Sequence, residues 1–347
     1  MVARSGTANN GVIAGVVVGC ALVVGVIAVV RLDTTGDSGS GLGPEYLYDI
    51  NELAKVDPVL IIYEEPAGPI DTGFEVARAI AVDCDGSIYL AGDKAVRMFK
   101  EDRTYLDQIE LAAEPRSLAV SGDKTIYVGF KDHVELYDRD KNRLAVWDSL
   151  GDKAVVSSIA AAEDDVFVAD AGNRVVVRYD RAGKVVKHIA AKDLARNVPG
   201  LVIPSPYCDV AVSKDGLLRV VNPGRHRIEA YTFDGDLEFW WGEHSTGIRG
   251  FCGCCNPVNF AVLPNGHFVT CEKGLVRVKQ YDSDGGFVGV VASPAQLVSQ
   301  VEFRICNTPE ECQSPGFDVA VDAGGRVLVL DTIKGVVRIF SRKGSSR

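Results

Sequence analysis

From about residue 77 onward the chain is written in short apolar runs of period two, interrupted by clusters of Asp, Asn and Gly. That alternation places successive side chains on opposite faces of a strand, so the runs predict antiparallel strands rather than helices. One cassette recurs six times. It holds an apolar strand, a turn, a second apolar strand ending in a polar residue, and a third strand ending in an aromatic. IAVDCDGSIYLAG, VAVSKDGLLRVVN, FAVLPNGHFVTCE and VAVDAGGRVLVLD are clear examples of its first half. The first strands centre on Ile80, Leu118, Ile159, Val210, Phe260 and Val319. The third strands end 19 to 21 residues later, at Phe99, Tyr137, Tyr179, Tyr231, Tyr281 and Phe340. An outer fourth strand follows in most cassettes, as in LAVWDS, KVVKHIA, LEFWWG and GFVGVVA.

Four strands per unit, repeated at about 40 residues or more, predict an all-β protein, a six-bladed β-propeller. The last cassette shows no fourth strand, whereas an unassigned apolar run, Val59–Tyr63, precedes the first. Pairing the two closes the ring and removes an exposed edge.

The pattern upstream is different. Residues 11–30 are uncharged and contain no proline, and Arg4 and Arg31 flank them. A run of that length predicts a transmembrane helix. The predicted organisation is a tail (1–10), a signal anchor (11–30), a flexible Gly/Ser/Thr/Asp-rich linker (31–57) and the propeller (58–347). A cleaved signal and a lipoprotein, suggested by Val17-Val18-Gly19-Cys20, are the competing readings of the same run. All three put the propeller outside the cytoplasm, in the periplasm or at the cell surface. Gly11, Gly15 and Gly19 form a small-xxx-small stripe of the kind that permits a weak homodimer between membrane helices.

The third strands AGNRVVVRYD, NPGRHRIEAY and KGLVRVKQYD resemble those of the NHL-repeat propellers, over about residues 58–342. Residues 205–291, with NPGRHRIEAYTFDGDLEFWW and FCGCCNPVNF, look like a bacterial membrane-anchored NHL branch. The resemblance implies the fold; the family includes binding scaffolds, lyases and lactonase-like relatives, so it implies no single activity.

Composition narrows the partners. The formal net charge is −10 and there is no basic stripe, which argues against nucleic acid. Spacing points to a face. The first strands are separated by 38, 41, 51, 50 and 59 residues, while the distance from first strand to aromatic hardly changes. The added length therefore falls in the connections into blades 4, 5 and 6, about 191–207, 243–258 and 294–317, all expected on one face. Long loops on a rigid scaffold are where function concentrates.

Seven of the nine cysteines follow those loops. Cys252, Cys254 and Cys255 lie in the connection into blade 5, and Cys306 and Cys312 in the one into blade 6. Cys208 begins a first strand and Cys271 ends a second. Three chemistries fit: disulfides, suited to an oxidising compartment; a thiolate-bound metal or iron–sulfur cluster, for which Cys252, Cys254, Cys255 and Cys271 supply four sulfurs; or free redox-active thiols. A bridge between Cys254 and Cys255 is expected to be strained and easily reduced. Polar residues at the start of first strands (Asp209, Asn259, Asp318) and beyond the second (Asn222, Arg225, Glu272, Asp331) are candidates for the channel mouth. Their carboxylates and amides are suited to calcium. The functional expectation is a membrane-anchored binding or redox-accessory scaffold whose Cys-rich face takes a partner protein, metal or cluster. The alternative is a metal-dependent hydrolase or lyase of the six-bladed lactonase-like type, using the channel-mouth Asp, Asn and Glu residues.

Overall fold

The computed structural model describes residues 50–298 and 316–344. They form six antiparallel sheets, five of four strands in the order a-b-c-d from the centre outward and a sixth of five, in which two short strands share the outer place. The six innermost strands are Ala77–Val82, Ser117–Val120, Val156–Ala161, Val210–Val212, Asn259–Val262 and Asp318–Val321, and every predicted centre falls within its strand. Each lies against the next, and the sixth returns to the first, which closes a six-bladed propeller.

Period two makes this ring possible, because each blade buries both faces, one on each neighbour. The core is accordingly divided into apolar clusters lying between adjacent blades. Tyr89, Val96 and Met98 of blade 1 meet Leu118, Ile126 and Val128 of blade 2, for example. The six aromatics that end the third strands are all buried in these seams. Turns between strands a and b place Gly86, Gly216, Gly266 and Gly325 at φ of 77–85°, a conformation in which a side chain is strained.

The ring closes differently from the sequence expectation. Pro58–Leu60 is a turn of 3-10 helix, with the Asp57 carboxylate accepting from Val59 N, so Val59 is not in a strand. Pro58 has no N–H to give a ladder and favours the start of a helical turn, which is why an apolar run here does not extend. Closure is made instead by two short pieces, Tyr63–Glu64 and Ile70–Asp71, both antiparallel to the third strand of blade 6, Val336–Arg342. Residues 50–57, assigned to the linker by sequence, carry a short helix, Ile50–Ala54, whose Ala54 is buried.

The 11–30 segment, the linker to residue 49, Cys20, Cys306 and Cys312 lie outside the described residues. Among the described residues no helix is long and apolar enough to cross a membrane.

Candidate functional site: the channel mouth and the cysteine loop

The starts of all six inner strands line one cavity of about 300 Å³ at the mouth of the central channel. Ala79, Ser117, Ser158, Asp209, Asn259 and Asp318 occupy equivalent positions around it. Five of the six reach sideways to the next blade. Asp318 accepts from Ile80 N (2.9 Å), Ser117 donates to Val156 O (3.3 Å), Ser158 donates to Asp209 (2.5 Å), Asp209 accepts from Phe260 N (2.7 Å), and Asn259 donates to Phe317 O (2.8 Å). Each carboxylate also accepts the N–H of its following residue. These groups form a belt that ties blade to blade, and of the six only Ala79 has no polar group with which to join it.

Of the belt carboxyls Asp209 is buried and Asp318 half-buried. Burial lifts Asp209 to about 6. It lifts Asp318 to about 7, helped by the neighbouring Asp209 charge. A carboxyl held partly protonated near neutral pH is a weaker cation ligand than an ionised one. Sequence reasoning missed four further lining residues: Arg78, Arg116, Tyr207 and Thr332. Arg78 and Arg116 stand two residues before the first-strand centres of blades 1 and 2, and that shared position was the available signal.

Asn222, Arg225, Glu272 and Asp331 do not line the cavity, which corrects their assignment to the channel mouth. Antiparallel geometry brings the end of strand b to the same face, but one strand further from the axis, where it meets the incoming connection. Asn222 accepts from Val202 N (2.9 Å), and Glu272 from Cys252 N (2.9 Å). Asp170 and Asp93 do the same for Val155 N and Val76 N (both 2.9 Å). Asp331 caps its own turn through Ile333 N and Lys334 N. Arg225 lines a separate surface groove with Trp240. Trp241 is buried among Phe251, Phe268 and Tyr281, and Arg227 stacks over the half-exposed Trp240 at 4.5 Å.

Glu272 does more than hold a backbone N–H. It is fully buried with two cations, also fully buried. Arg277 contacts it through Nε (2.6 Å) and Nη2 (2.9 Å), and Lys279 Nζ lies 3.1 Å away. Lys279 donates to Gly250 O (2.6 Å) and rests over Phe251, while Tyr281 OH donates to Arg249 O (3.0 Å). The connection into blade 5 is thus wrapped around a buried charge cluster. Burial raises the Glu272 carboxyl, but Lys279 and Arg277 outweigh it and hold the group below the usual range. Burial pulls Lys279 down to about 8 against the attraction of Glu272.

Downstream of that anchor sits the cysteine turn. Asn256 donates to Cys252 O (2.6 Å) and Lys273 O (3.0 Å) and accepts from Lys273 N (2.9 Å). His226 Nε2 contacts Gly253 O at 2.7 Å. Within this clamp the Cys254 and Cys255 sulfurs are 3.3 Å apart, Cys254 exposed and Cys255 buried. Burial and the contact with Cys255 raise the Cys254 thiol, and Lys273 opposes the shift. Cys208 and Cys271 are elsewhere. Cys208 is buried in the core between blades 3 and 4, Cys271 in the one between blades 5 and 6. Burial raises both thiols. Among the described residues, no three His, Cys, Asp or Glu side chains are grouped to hold a metal ion.

No protein-family model matches the sequence, and no curated protein matches it. Solved structures share its fold. A streptogramin B lyase aligns with a TM-score of 0.56 at 9% identity, over 80% of this chain and 97% of that one. A gluconolactonase from Xanthomonas campestris aligns with a TM-score of 0.57 at 16% identity, over 79% and 88%. A protein of unknown function from Bacteroides thetaiotaomicron aligns with a TM-score of 0.58 at 17% identity, over 80% and 72%. At these identities the likeness is one of fold, that of propeller proteins which include lyase and lactonase-like enzymes.

Proposed function

We propose that this chain is an NHL-type propeller tethered by residues 11–30 on the extracytoplasmic side of a membrane, where it serves as a redox-accessory binding scaffold. The observation that carries this reading is the clamped Cys254–Cys255 pair. Bridged, the pair is a strained and therefore oxidising disulfide, with the Cys254 sulfur exposed to an incoming thiolate and Cys255 as the buried leaving group. The exchange balances without any group beyond a partner dithiol. A partner thiolate attacks the Cys254 sulfur and expels the Cys255 thiolate, which takes up a proton. The partner's second thiolate then closes on the first partner sulfur and expels the Cys254 thiolate, so one disulfide here is reduced as two partner thiols are oxidised.

The lactonase-like alternative requires the channel-mouth carboxylates to bind calcium. Their engagement in the belt favours the scaffold. The test uses full-length Cys84→Ser protein in detergent, equilibrated with oxidised and reduced glutathione in varied ratio. Peptide mapping of the Cys252–Cys255 segment should show a Cys254–Cys255 bridge under excess oxidised glutathione that reduced glutathione opens. Cys255→Ser should instead retain a glutathione adduct on Cys254, and Cys254→Ser should form neither. Calcium titration by calorimetry is the second arm. Saturable calcium binding that Asp209→Asn removes, with no change in thiol state, would sink the scaffold in favour of the hydrolase.

A further inference from the structure

The belt has a consequence for what the channel mouth recognises. Of the ionisable side chains lining the cavity, Asp209 is buried, Asp318 half-buried, and both are bonded to neighbouring blades. Arg78 and Arg116 are exposed. Arg78 has only a loose partner, Glu114, at 3.6 Å, and that glutamate is itself largely exposed. Arg116 makes no ion pair among the described residues. A chain of net charge −10 therefore presents two guanidinium groups on one side of a concave polar cavity. Guanidinium is a planar fork of N–H donors matched to a two-oxygen anion.

We infer that the channel mouth is a binding site for a small organic carboxylate, held by Arg78 and Arg116 against the rim formed by blades 1 and 2. This site is separate from the cysteine pair and does not depend on it. The class follows from the two carboxyls in the wall. Asp209 stands in blade 4 and Asp318 in blade 6, where it accepts Ile80 N near Arg78. Once ionised, they repel a dianion more strongly than a monoanion. That favours a carboxylate over phosphate. The cavity also limits size, since about 300 Å³ lies at the small end of ligand pockets. The hydroxyls of Ser157 and Ser158 already donate to Cys208 O and Asp209. Tyr207 OH accepts from Gly316 N and Thr332 donates to Gly316 O, so the ligand is left to the arginines for its charge.

The experiment is calorimetric titration of the full chain in detergent with lactate, a small monocarboxylate, at constant ionic strength. Inorganic phosphate is titrated in parallel. Saturable one-to-one binding of lactate is expected, stronger than that of phosphate. Arg78→Ala and Arg116→Ala should each weaken it by about tenfold or more, the loss of one charge-assisted hydrogen bond. Both side chains are exposed, and unchanged thermal unfolding will confirm that each variant is folded. Arg116→Lys tests the fork, since it keeps the charge and should recover only part of the affinity. Absence of saturable lactate binding, phosphate binding as tightly as lactate, or affinity unchanged in either alanine variant overturns the inference.

Discussion

Glu272→Gln is the perturbation that reaches furthest into this structure. The carboxylate sits fully buried between Arg277 and Lys279, at 2.6 and 3.1 Å, and also accepts Cys252 N. Glutamine keeps an acceptor for that N–H but removes the negative charge that both buried cations contact. Breaking a buried pair from one side costs about 3–5 kcal/mol, because the partner charge is left uncompensated. Lys279 limits the upper end. Already drawn down to about 8, it will release its proton at neutral pH once Glu272 no longer holds it.

The sign of the pH dependence follows. A lysine depressed in the folded state binds fewer protons there than when unfolded, so stability rises with pH from about 8 toward the ordinary lysine value of about 10.4. In the variant that rise begins lower and is larger, so the gap from wild type narrows between pH 7 and 10. Equilibrium unfolding of the full chain, followed by tryptophan emission, reads both effects. Trp241 lies 6.3 Å from Phe251 in the affected connection and serves as a local reporter. A loss below about 1 kcal/mol at pH 7, or a gap that does not change with pH, would refute a dry charge cluster.

Two further outcomes are expected. In the reduced native protein a maleimide should modify exposed Cys84 and Cys254, the latter faster as pH rises, while Cys208 and Cys271 react only after unfolding; peptide mapping that finds either core cysteine labelled under native conditions contradicts their placement. Asp209 and Asp318 bind protons more tightly folded than unfolded, so stability should fall as pH climbs from about 4 through 6 and 7. Taken alone, the Asp318 shift corresponds to about 4 kcal/mol across that window, and a melting temperature that rises from pH 5 to 7.5 argues against it.

The ring was legible because its cause is local. Two-residue alternation, turn residues and a terminal aromatic recur in every cassette, and each maps onto a strand, a turn or a plugged seam. The closure was less legible. Asp57 and Pro58 convert the start of an apolar run into a helical turn, and the actual partner of the last blade is split across residues 63–71. The site was half visible. Position alone identified Asp209, Asn259 and Asp318, but not that their partners are backbone groups of the neighbouring blade, since periodicity does not encode contacts between repeats. Asn222 and Glu272 have the composition of ligands and the geometry of clasps. Cys208 and Cys271 lie near the loop cysteines along the fold's edge, yet their side chains point into separate seams, a distinction of orientation that spacing does not carry.

The clasps at Asp93 and Asp170 grip the arriving connection one residue before its inner strand, and those at Asn222 and Glu272 grip the longer connections eight and seven residues before theirs. A connection secured at its landing can be lengthened, shortened or rewritten upstream without re-aiming the inner strand that follows. Blades 4 and 5 show the outcome, with connections about twice as long as that of blade 3 delivered into equivalent inner strands. The ring is in this sense a socket board with standard fittings. Chemistry is exchanged in the cords, and the cysteine turn and its buried charge cluster are one cord among those this board accepts.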